Sequence, residues 1–342
     1  MNKPLVFSDR HHNTLFHSLK MLFEDRLGGT LFNPTGKEWF EKGIWKMAEI
    51  YLNSPFTINQ YLGIQGEPDS KGIYHYWDTE YDYFQNAITY DKFMSLPIDI
   101  VIASVPEHIQ SFGVLCENHP NHPKLIYQVG NHWTIEEGKA DNMLASAIIQ
   151  NVPPETNIVT YHQEFDLNTF RFEEPQPNRK IYSFINCYAT AEHYINDWMA
   201  FCDLEGMMPG WEFRSFGGSC RDGAISGSQH LANKMREANF IYHVKVYGDG
   251  YGHILHNAFA VGRPLITRIA DYKGRLAEPL LEDGETCFDV DKYTTEELAD
   301  KITNIYPELY QYMCQEMKRR FEKYVNFDKE EKDIRLMLDK LK

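Results

Sequence analysis

Short apolar runs alternate with longer amphipathic segments through the first half of the chain. The short runs are typical of buried strands, and the segments between them repeat apolar residues at helical spacing. The segment 13–27, for example, places Leu15, Leu19 and Leu22 on one face. We predict strands at 5–7, 30–32, 98–102, 124–129 and 157–161, and helices at 13–27 and 107–117.

The same alternation recurs in the second half, after a polar, proline-bearing stretch at 173–179 that is typical of a domain boundary. We predict strands at 180–185, 211–216, 238–246, 264–268 and 287–290, and helices at 191–204, 228–237, 294–305 and within 307–342. Strands that alternate with helices form parallel sheets with helices on both faces, so the predicted fold class is α/β. The predicted domains are 1–175, with an aromatic insertion at about 36–95, then 176–320, and a final segment 321–342 that packs back on the first domain.

The most informative stretch is the predicted strand-to-helix connection at 247–266. It carries Gly248, Gly250 and Gly252 before a short apolar helix, with Gly262 at the position of a helix C-cap and Pro264 just beyond it. Glycines before a helix N-terminus let backbone N–H groups approach an anion, which the helix dipole favours. This pattern indicates a phosphate-binding loop, and the alternative is an ordinary strand-to-helix turn.

The same stretch resembles the donor-site segment of family 4 glycosyltransferases, whose pattern is Glu-Gly-aromatic-Gly, four residues, Glu-Ala, then Ala-x-Gly-x-Pro. The matching positions here are Asp249, Gly250, Tyr251, Gly252, Asn257, Ala258, Ala260, Gly262, Pro264, Leu265 and Ile266. Both family acids are altered, the first to Asp249 and the second to Asn257. The resemblance implies the GT-B fold of two facing Rossmann-like domains, a nucleoside-diphosphate sugar as donor, and retention of anomeric configuration without an obligatory metal.

The resemblance also implies roles for individual residues. Asp249 would address the donor sugar, Asn257 would hold the ribose, and the backbone N–H groups of 250–253 would bind the phosphates. His132 follows the predicted strand 124–129, as a family histidine that contacts the donor sugar does, and its alternative is a histidine satisfied by a neighbouring carbonyl. The implied site is a cleft between the two domains. The expected donor-binding residues are Gly217, Gly218, Arg221, Lys245, Gly250, Tyr251, Gly252, His253 and Asn257, with Asp249 and His132 as catalytic residues.

The acceptor side is expected in the loop between the first strand and helix, which contains Asp9, His11 and His12. An acid or histidine there could serve as the base of an inverting reaction. The alternative is an Asp or Asn helix cap beside two solvated histidines. The aromatic side chains of the insertion could stack on a sugar ring, or they could form the core of a local helical subdomain.

Composition narrows the choice of partners. The chain has 342 residues and a formal net charge of −15, which opposes non-specific binding to nucleic acid or to an anionic membrane. Six cysteines without a Cys-x-x-Cys pair are expected to be reduced thiols of a cytoplasmic protein. No apolar run is long enough to span a membrane. We expect no metal and no cofactor beyond the nucleotide-sugar substrate.

These features together predict a glycosyltransferase that moves a sugar from a nucleoside-diphosphate donor to a carbohydrate or other small neutral acceptor, with retention. Two alternatives stay open. One is an inverting GT-B transferase that acts on modified DNA bases, and the other is a catalytically reduced relative that binds sugars or nucleotides without turnover.

Overall fold

The computed structural model of the protein describes residues 3–10, 12–46, 62–64, 66–130, 140–176 and 178–341. The chain divides into two compact units. The first unit runs to Phe165 and resumes at Phe327, and the second unit comprises Asp166–Asn326.

These divisions differ from the predicted boundaries after 175 and 320, and packing explains why. Residues before the polar stretch belong to the second unit, because Phe172 packs against its core and the Arg263 guanidinium donates to the Glu173 carbonyl oxygen at 2.9 Å. The residues around 321 also belong to the second unit, since Met313 and Cys314 of the same helix lie in its core.

The first unit is built on an eight-stranded sheet. Its strands are β1 (Leu5–Ser8), β2 (Thr30–Pro34), β3 (Tyr74–Asp78), β4 (Tyr83–Ile88), β5 (Ile100–Ala103), β6 (Lys124–Val129), β7 (Asn142–Ala145) and β8 (Asn157–Thr160), in the order β3-β4-β2-β1-β5-β6-β7-β8. All neighbours in the sheet are parallel except β3 and β4, which form an antiparallel hairpin. The described helices before the second unit are α1 (Asn13–Lys20, continued as a π-helical segment Met21–Arg26), α2 (Glu38–Glu41), α3 (Tyr90–Ser95) and α4 (Pro106–Asn118).

Side-chain alternation explains why this sheet is covered on both faces. Val6 and Ile100 point to one face and pack with α1, whereas Phe7 and Val101 point to the other face and pack with Phe112 of α4. The predicted α/β class is confirmed.

The described part of the aromatic insertion is built mainly on a β-hairpin. Residues 47–61 and 65 of the insertion lie outside the described ranges, and the hairpin β3–β4 is its main described element. Trp39 and Trp45 are fully buried in the first unit's core, whereas Trp77 and Phe84 are 50% and 57% exposed and contact each other edge to face. The described hairpin β3–β4 therefore extends the sheet at its edge.

The second unit has a five-stranded, fully parallel sheet. Its strands are β9 (Lys180–Ser183), β10 (Glu212–Ser215), β11 (Phe240–His243), β12 (Leu265–Thr267) and β13 (Cys287–Asp289), in the order β10-β9-β11-β12-β13. Its helices are α5 (Ile195–Met207), α6 (Gly227–Glu237), α7 (His253–Val261), α8 (Thr295–Thr303) and α9 (Pro307–Tyr324). Because the strands are parallel, the loops that follow them lie at one edge of the sheet, where ligands bind in such folds.

The last helix, α10 (Phe327–Leu338), returns to the first unit. Ile334, Met337 and Leu338 lie at helical spacing and are buried beside α1 and β1. Leu336 falls outside this stripe and is exposed. Arg26 reinforces the contact, since its guanidinium hydrogen-bonds both oxygens of Glu164 at 2.6 Å and also contacts Asp328 of α10.

Candidate functional site

The loop between β11 and α7 has a backbone that only a few residue types can adopt. Tyr247, Gly248 and Gly252 all have positive φ, and Gly252 is the N-cap of α7. At Gly248 a side chain is also excluded by space, because a Cβ would lie 3.0 Å from the Cβ of Asp271 and 3.1 Å from Arg275 Nη1. This loop is therefore tightly packed against the residues after β12.

The other end of α7 is closed by Gly262, as the sequence pattern predicts. Gly262 is the C-cap residue with φ of 70°, and its N–H donates to the Phe259 carbonyl oxygen at 3.2 Å. A Cβ at this position would lie 2.4 Å from two ring atoms of Phe172. The glycine is required both by the backbone and by the close approach of Phe172.

Asp249 lies in the β11–α7 loop and is held by two basic side chains. His243 Nε2 donates to Asp249 Oδ2 at 2.5 Å, and Lys245 Nζ contacts Asp249 Oδ1. Burial by itself raises the pKa of Asp249, but the charges and hydrogen bonds of His243 and Lys245 outweigh it, so the pKa lies well below its ordinary value. The Asp249 carboxylate is therefore ionised, with a side chain that is 18% exposed.

Arg275, which the sequence pattern did not single out, holds the backbone of the same loop. Its guanidinium donates to the Tyr247 carbonyl oxygen at 2.8 Å and also to that of Asp249, and it lies over the ring of Tyr272. His243, at the end of β11, is a second residue that the pattern missed. Both could be found only from tertiary contacts, because neither belongs to the glycine pattern.

The first turn of α7 is stabilised by stacked rings. The buried Tyr251 ring stacks on His256 with centroids 4.2 Å apart, and His256 Nδ1 donates to the Gly252 carbonyl oxygen at 2.9 Å. His253 contacts the Tyr251 ring edge to face. The Tyr251 side chain therefore supports the loop from inside, and Gly250 is buried beside it.

Asn257 lies one turn further along α7 and carries an unusual buried atom. The residue is 6% exposed, and its Oδ1 has no hydrogen-bond partner among the residues that the structure describes. A buried amide oxygen without a donor is costly, of the order of 1–3 kcal/mol. A ligand hydroxyl would satisfy this atom.

Gly217 and Gly218 follow β10 and pack against the loop that follows β9. Gly218 N–H donates to Asn186 Oδ1 at 2.8 Å, and Cys187 N–H donates to the Gly218 carbonyl oxygen at 2.7 Å. A Cβ on Gly217 would lie 2.7 Å from Asn186 Oδ1. These glycines thus let two neighbouring strand-end loops approach closely.

The basic side chains of the second unit differ in the partners that they already have. Arg221 donates to Glu205 at 2.6 Å and to the Phe213 carbonyl oxygen at 2.8 Å. Arg263 is fully buried and donates only to backbone carbonyl oxygens among the described residues. Lys245 contacts the Asp249 carboxylate directly, so it is the candidate cation closest to the β11–α7 loop's acidic residue.

In the first unit, Asp9 follows β1 and is buried in a hydrogen-bond network. Ser104 N–H donates to both carboxylate oxygens at 3.0 Å, the Ser104 hydroxyl donates to Oδ1, and His108 Nδ1 donates to Oδ2. His108 Nε2 accepts from the Lys46 N–H at 2.9 Å, which places the ring proton on Nδ1. Asp9 therefore joins β1 to the loop before α4. The helix-cap alternative is wrong, because His12 is the N-cap residue of α1.

The remaining predicted residues lie apart from this network or outside the described ranges. His12 is exposed at the start of α1. His11 and His132 lie outside the described residues, so their predicted roles stay predictions. Beside α1, the hairpin β3–β4 contacts the same region, since the Tyr81 hydroxyl donates to Thr14 Oγ1 at 2.7 Å and Asn13 Nδ2 donates to Glu80 at 3.1 Å.

No cluster of three His, Cys, Asp or Glu side chains suited to a metal ion occurs in the part of the chain that the structure describes. Within the same ranges, no helix is both long and apolar enough to cross a membrane.

The comparisons with known proteins concern the fold. The sequence matches no protein-family model and no curated protein. Among solved structures, a glycosyltransferase from Rickettsia africae matches over 100% of this chain and 99% of its own length, with a TM-score of 0.59 and 12% identity. HepE from Anabaena, in complex with UDP, matches over 99% of this chain and 100% of its own, with a TM-score of 0.62 and 10% identity.

A third structure, an alpha-glucosyltransferase in complex with UDP, matches over 99% of this chain and 100% of its own, with a TM-score of 0.62 and 9% identity. The chain has the GT-B fold. At such identities the likeness extends to the fold, so the roles of individual residues in this GT-B chain rest on its own geometry.

Proposed function

We propose that this chain is a glycosyltransferase that moves a sugar from a nucleoside-diphosphate donor to an acceptor, with retention of anomeric configuration. The donor site is the edge of the second unit's sheet, between the β11–α7 loop and the loops after β9 and β10. The observation that carries the proposal is the pair formed by the ionised Asp249 and the buried Asn257 with its unpartnered Oδ1.

Each end of the donor has a chemically suitable partner in this site. Asp249 can accept hydrogen bonds from sugar hydroxyls, and a ribose hydroxyl can donate a hydrogen bond to Asn257 Oδ1. Lys245 can pair with the diphosphate, as can the backbone N–H groups at the N-terminus of α7. The base would lie beside Gly217 and Gly218, where the loops after β9 and β10 pack closely on each other. No metal is needed in this scheme, because Lys245 and the backbone supply the positive potential.

Uracil is the first nucleotide base to test. HepE has been solved with UDP and with UDP-glucose, and the alpha-glucosyltransferase with UDP. The proposed acceptor is a neutral carbohydrate, because a net charge of −15 repels polyanions such as DNA. The buried network around Asp9 also disfavours an inverting mechanism with Asp9 as base, since its carboxylate is already engaged by Ser104 and His108.

The test combines a panel of nucleotide sugars with variants of Asn257. We expect hydrolysis or transfer from at least one donor, and weaker UDP binding by about five- to tenfold in Asn257→Leu, the loss of about one hydrogen bond. Asn257→Glu restores the family's carboxylate and is expected to bind UDP as tightly as the parent or more tightly.

The comparison of UDP with 2′-deoxy-UDP and 3′-deoxy-UDP is the control for the ribose contact. Asn257→Leu should lose the discrimination against at least one deoxy analogue that the parent protein shows. Equal discrimination in both proteins would contradict the assignment of Asn257, and the absence of turnover with every nucleotide sugar would contradict the enzymatic proposal.

A further inference from the structure

The Asp249 carboxylate has two partners of very different character. His243 lies at the end of β11, and its ring is 2% exposed, whereas the Lys245 side chain is 18% exposed. The His243 carbonyl oxygen accepts from Thr267 Oγ1 at 2.7 Å, which fixes the residue to the neighbouring strand. One oxygen of Asp249 is thus held by a rigid, buried group and the other by a flexible, partly exposed one.

The hydrogen bond of the His243 ring fits a permanent anchor. A carboxylate only accepts hydrogen bonds, so Nε2 carries the proton that reaches Asp249 Oδ2. His243 Nδ1 has no hydrogen-bond partner among the described residues. Among the described residues, the bond to Asp249 is therefore the only hydrogen bond of the His243 ring.

Lys245 is the partner that a ligand can remove. An ion pair with a partly exposed lysine holds its partner less firmly than a buried ring does, and a lysine side chain adopts many rotamers. A diphosphate carries more negative charge than one carboxylate and offers more acceptor oxygens. We infer that Lys245 leaves Asp249 for the diphosphate when the donor binds, while His243 keeps Asp249 in place with Oδ1 exposed to the sugar.

This inference rests on the proposed function and adds an order of events to it. Without nucleotide, Lys245 covers Asp249 Oδ1, so the carboxylate is closed to other hydroxyl-bearing molecules. The diphosphate uncovers it only when a donor is bound. Lys245 is then the residue that couples nucleotide binding to the availability of Asp249, and His243 is a positioning residue.

Isothermal titration with UDP and with uridine tests the exchange. Lys245→Met should raise the Kd of UDP about tenfold or more, the loss of a charge-assisted hydrogen bond. The same variant should leave the Kd of uridine unchanged, because uridine lacks the diphosphate.

Asp249→Asn is the more revealing variant. It removes the carboxylate that competes for Lys245, so UDP should bind about two- to fivefold more tightly, the equivalent of about 0.4–1 kcal/mol. Sugar transfer should be lost in the same protein. Asp271→Asn is the matched control, because its Cβ lies next to Gly248 in the same loop packing and its charge is not paired with Lys245. The control should leave the Kd of UDP close to that of the parent.

His243 is tested by a split between binding and turnover. In His243→Phe we expect kcat to fall with little change in the Kd of UDP, because only the orientation of Asp249 is lost. His243→Gln retains an N–H donor and should recover part of kcat.

The outcomes separate the inference from the proposed function. Binding of UDP that is unaffected by Lys245→Met, or tightened equally by Asp249→Asn and Asp271→Asn, overturns the exchange and leaves the glycosyltransferase proposal standing. Equal kcat in His243→Phe and the parent overturns the positioning role. Failure of UDP, GDP and ADP all to bind overturns both the exchange and the proposed function.

Discussion

Asp9 is expected to be a structural residue of the first unit, and replacement by asparagine tests this. Every partner of its carboxylate among the described residues is a donor: the N–H and hydroxyl of Ser104, and Nδ1–H of His108. His108 cannot change tautomer, because its Nε2 accepts from the Lys46 N–H. An asparagine amide has one acceptor oxygen and one NH₂ donor, so in either orientation the NH₂ group faces an N–H.

The size of the effect follows from this mismatch. A buried donor left without an acceptor costs about 1–3 kcal/mol, and replacing a charged acceptor by a neutral one weakens the remaining bonds. We therefore expect Asp9→Asn to lower the free energy of unfolding by about 2–4 kcal/mol. The exposed Asp25 provides the matched control, and Asp25→Asn should change the free energy of unfolding by less than about 0.5 kcal/mol.

The assay is urea unfolding followed by tryptophan fluorescence, together with sugar transfer by the folded protein at low temperature. A structural Asp9 predicts reduced stability and retained transfer. Loss of transfer with a free energy of unfolding equal to that of the parent would refute this reasoning, and it would restore Asp9 as the base of an inverting reaction.

Two further predictions concern stability. Gly262→Ala should lower the free energy of unfolding by about 2–4 kcal/mol, because the new Cβ would overlap the Phe172 ring. The control is Gly274→Ala, which has nearly the same φ and no atom within 4 Å of its Cβ, and it should lower the free energy of unfolding by only about 1 kcal/mol through backbone strain. Equal losses in urea unfolding would contradict the overlap. Glu316 has a pKa lowered to about 2 by hydrogen bonds from Arg319, opposed by burial and assisted by Arg320. A depressed carboxyl pKa stabilises the fold above its ordinary value of 4.5, and this contribution is lost as the pH falls towards 2. Glu316→Gln should therefore lower the free energy of unfolding at pH 7 by about 1–2 kcal/mol, a value already reduced because Arg319 is exposed. The difference between this variant and the parent should vanish near pH 2. The control is Glu322→Gln at an exposed site, and its free energy of unfolding should show no such dependence on pH.

Much of the fold was predictable from the sequence, because apolar runs and helical spacing are local signals. The strands β1, β6 and β13 lie close to their predicted positions, as does the C-cap Gly262. The hairpin β3–β4 was missed, because the residues of β4 run Tyr83-Phe84-Gln85-Asn86-Ala87-Ile88 and do not alternate between apolar and polar types. The strand β7 has only four residues and no flanking signal, so its place depends on pairing with β6 and β8.

The candidate site was less predictable, because its key contacts join distant segments. The glycine pattern located the loop of Asp249, but it contained no information about Arg275, which reaches the loop from beyond β12. Nor could spacing indicate that Arg221 pairs with Glu205 of α5, or that Asp9 is enclosed by Ser104 and His108. Sequence position identified residues at strand ends, and only packing determined which of their charges were already neutralised.

The return of α10 to the first unit has a consequence for how the protein is made. The core beside α1 includes Ile334, Met337 and Leu338, so the ribosome must complete the entire second unit before the first can close its apolar surface. Until then, part of that surface is left open on the nascent chain, which is a condition that favours aggregation or chaperone capture. The usual order of N-terminal domain first is thereby reversed, and the second unit is the part that can finish folding early.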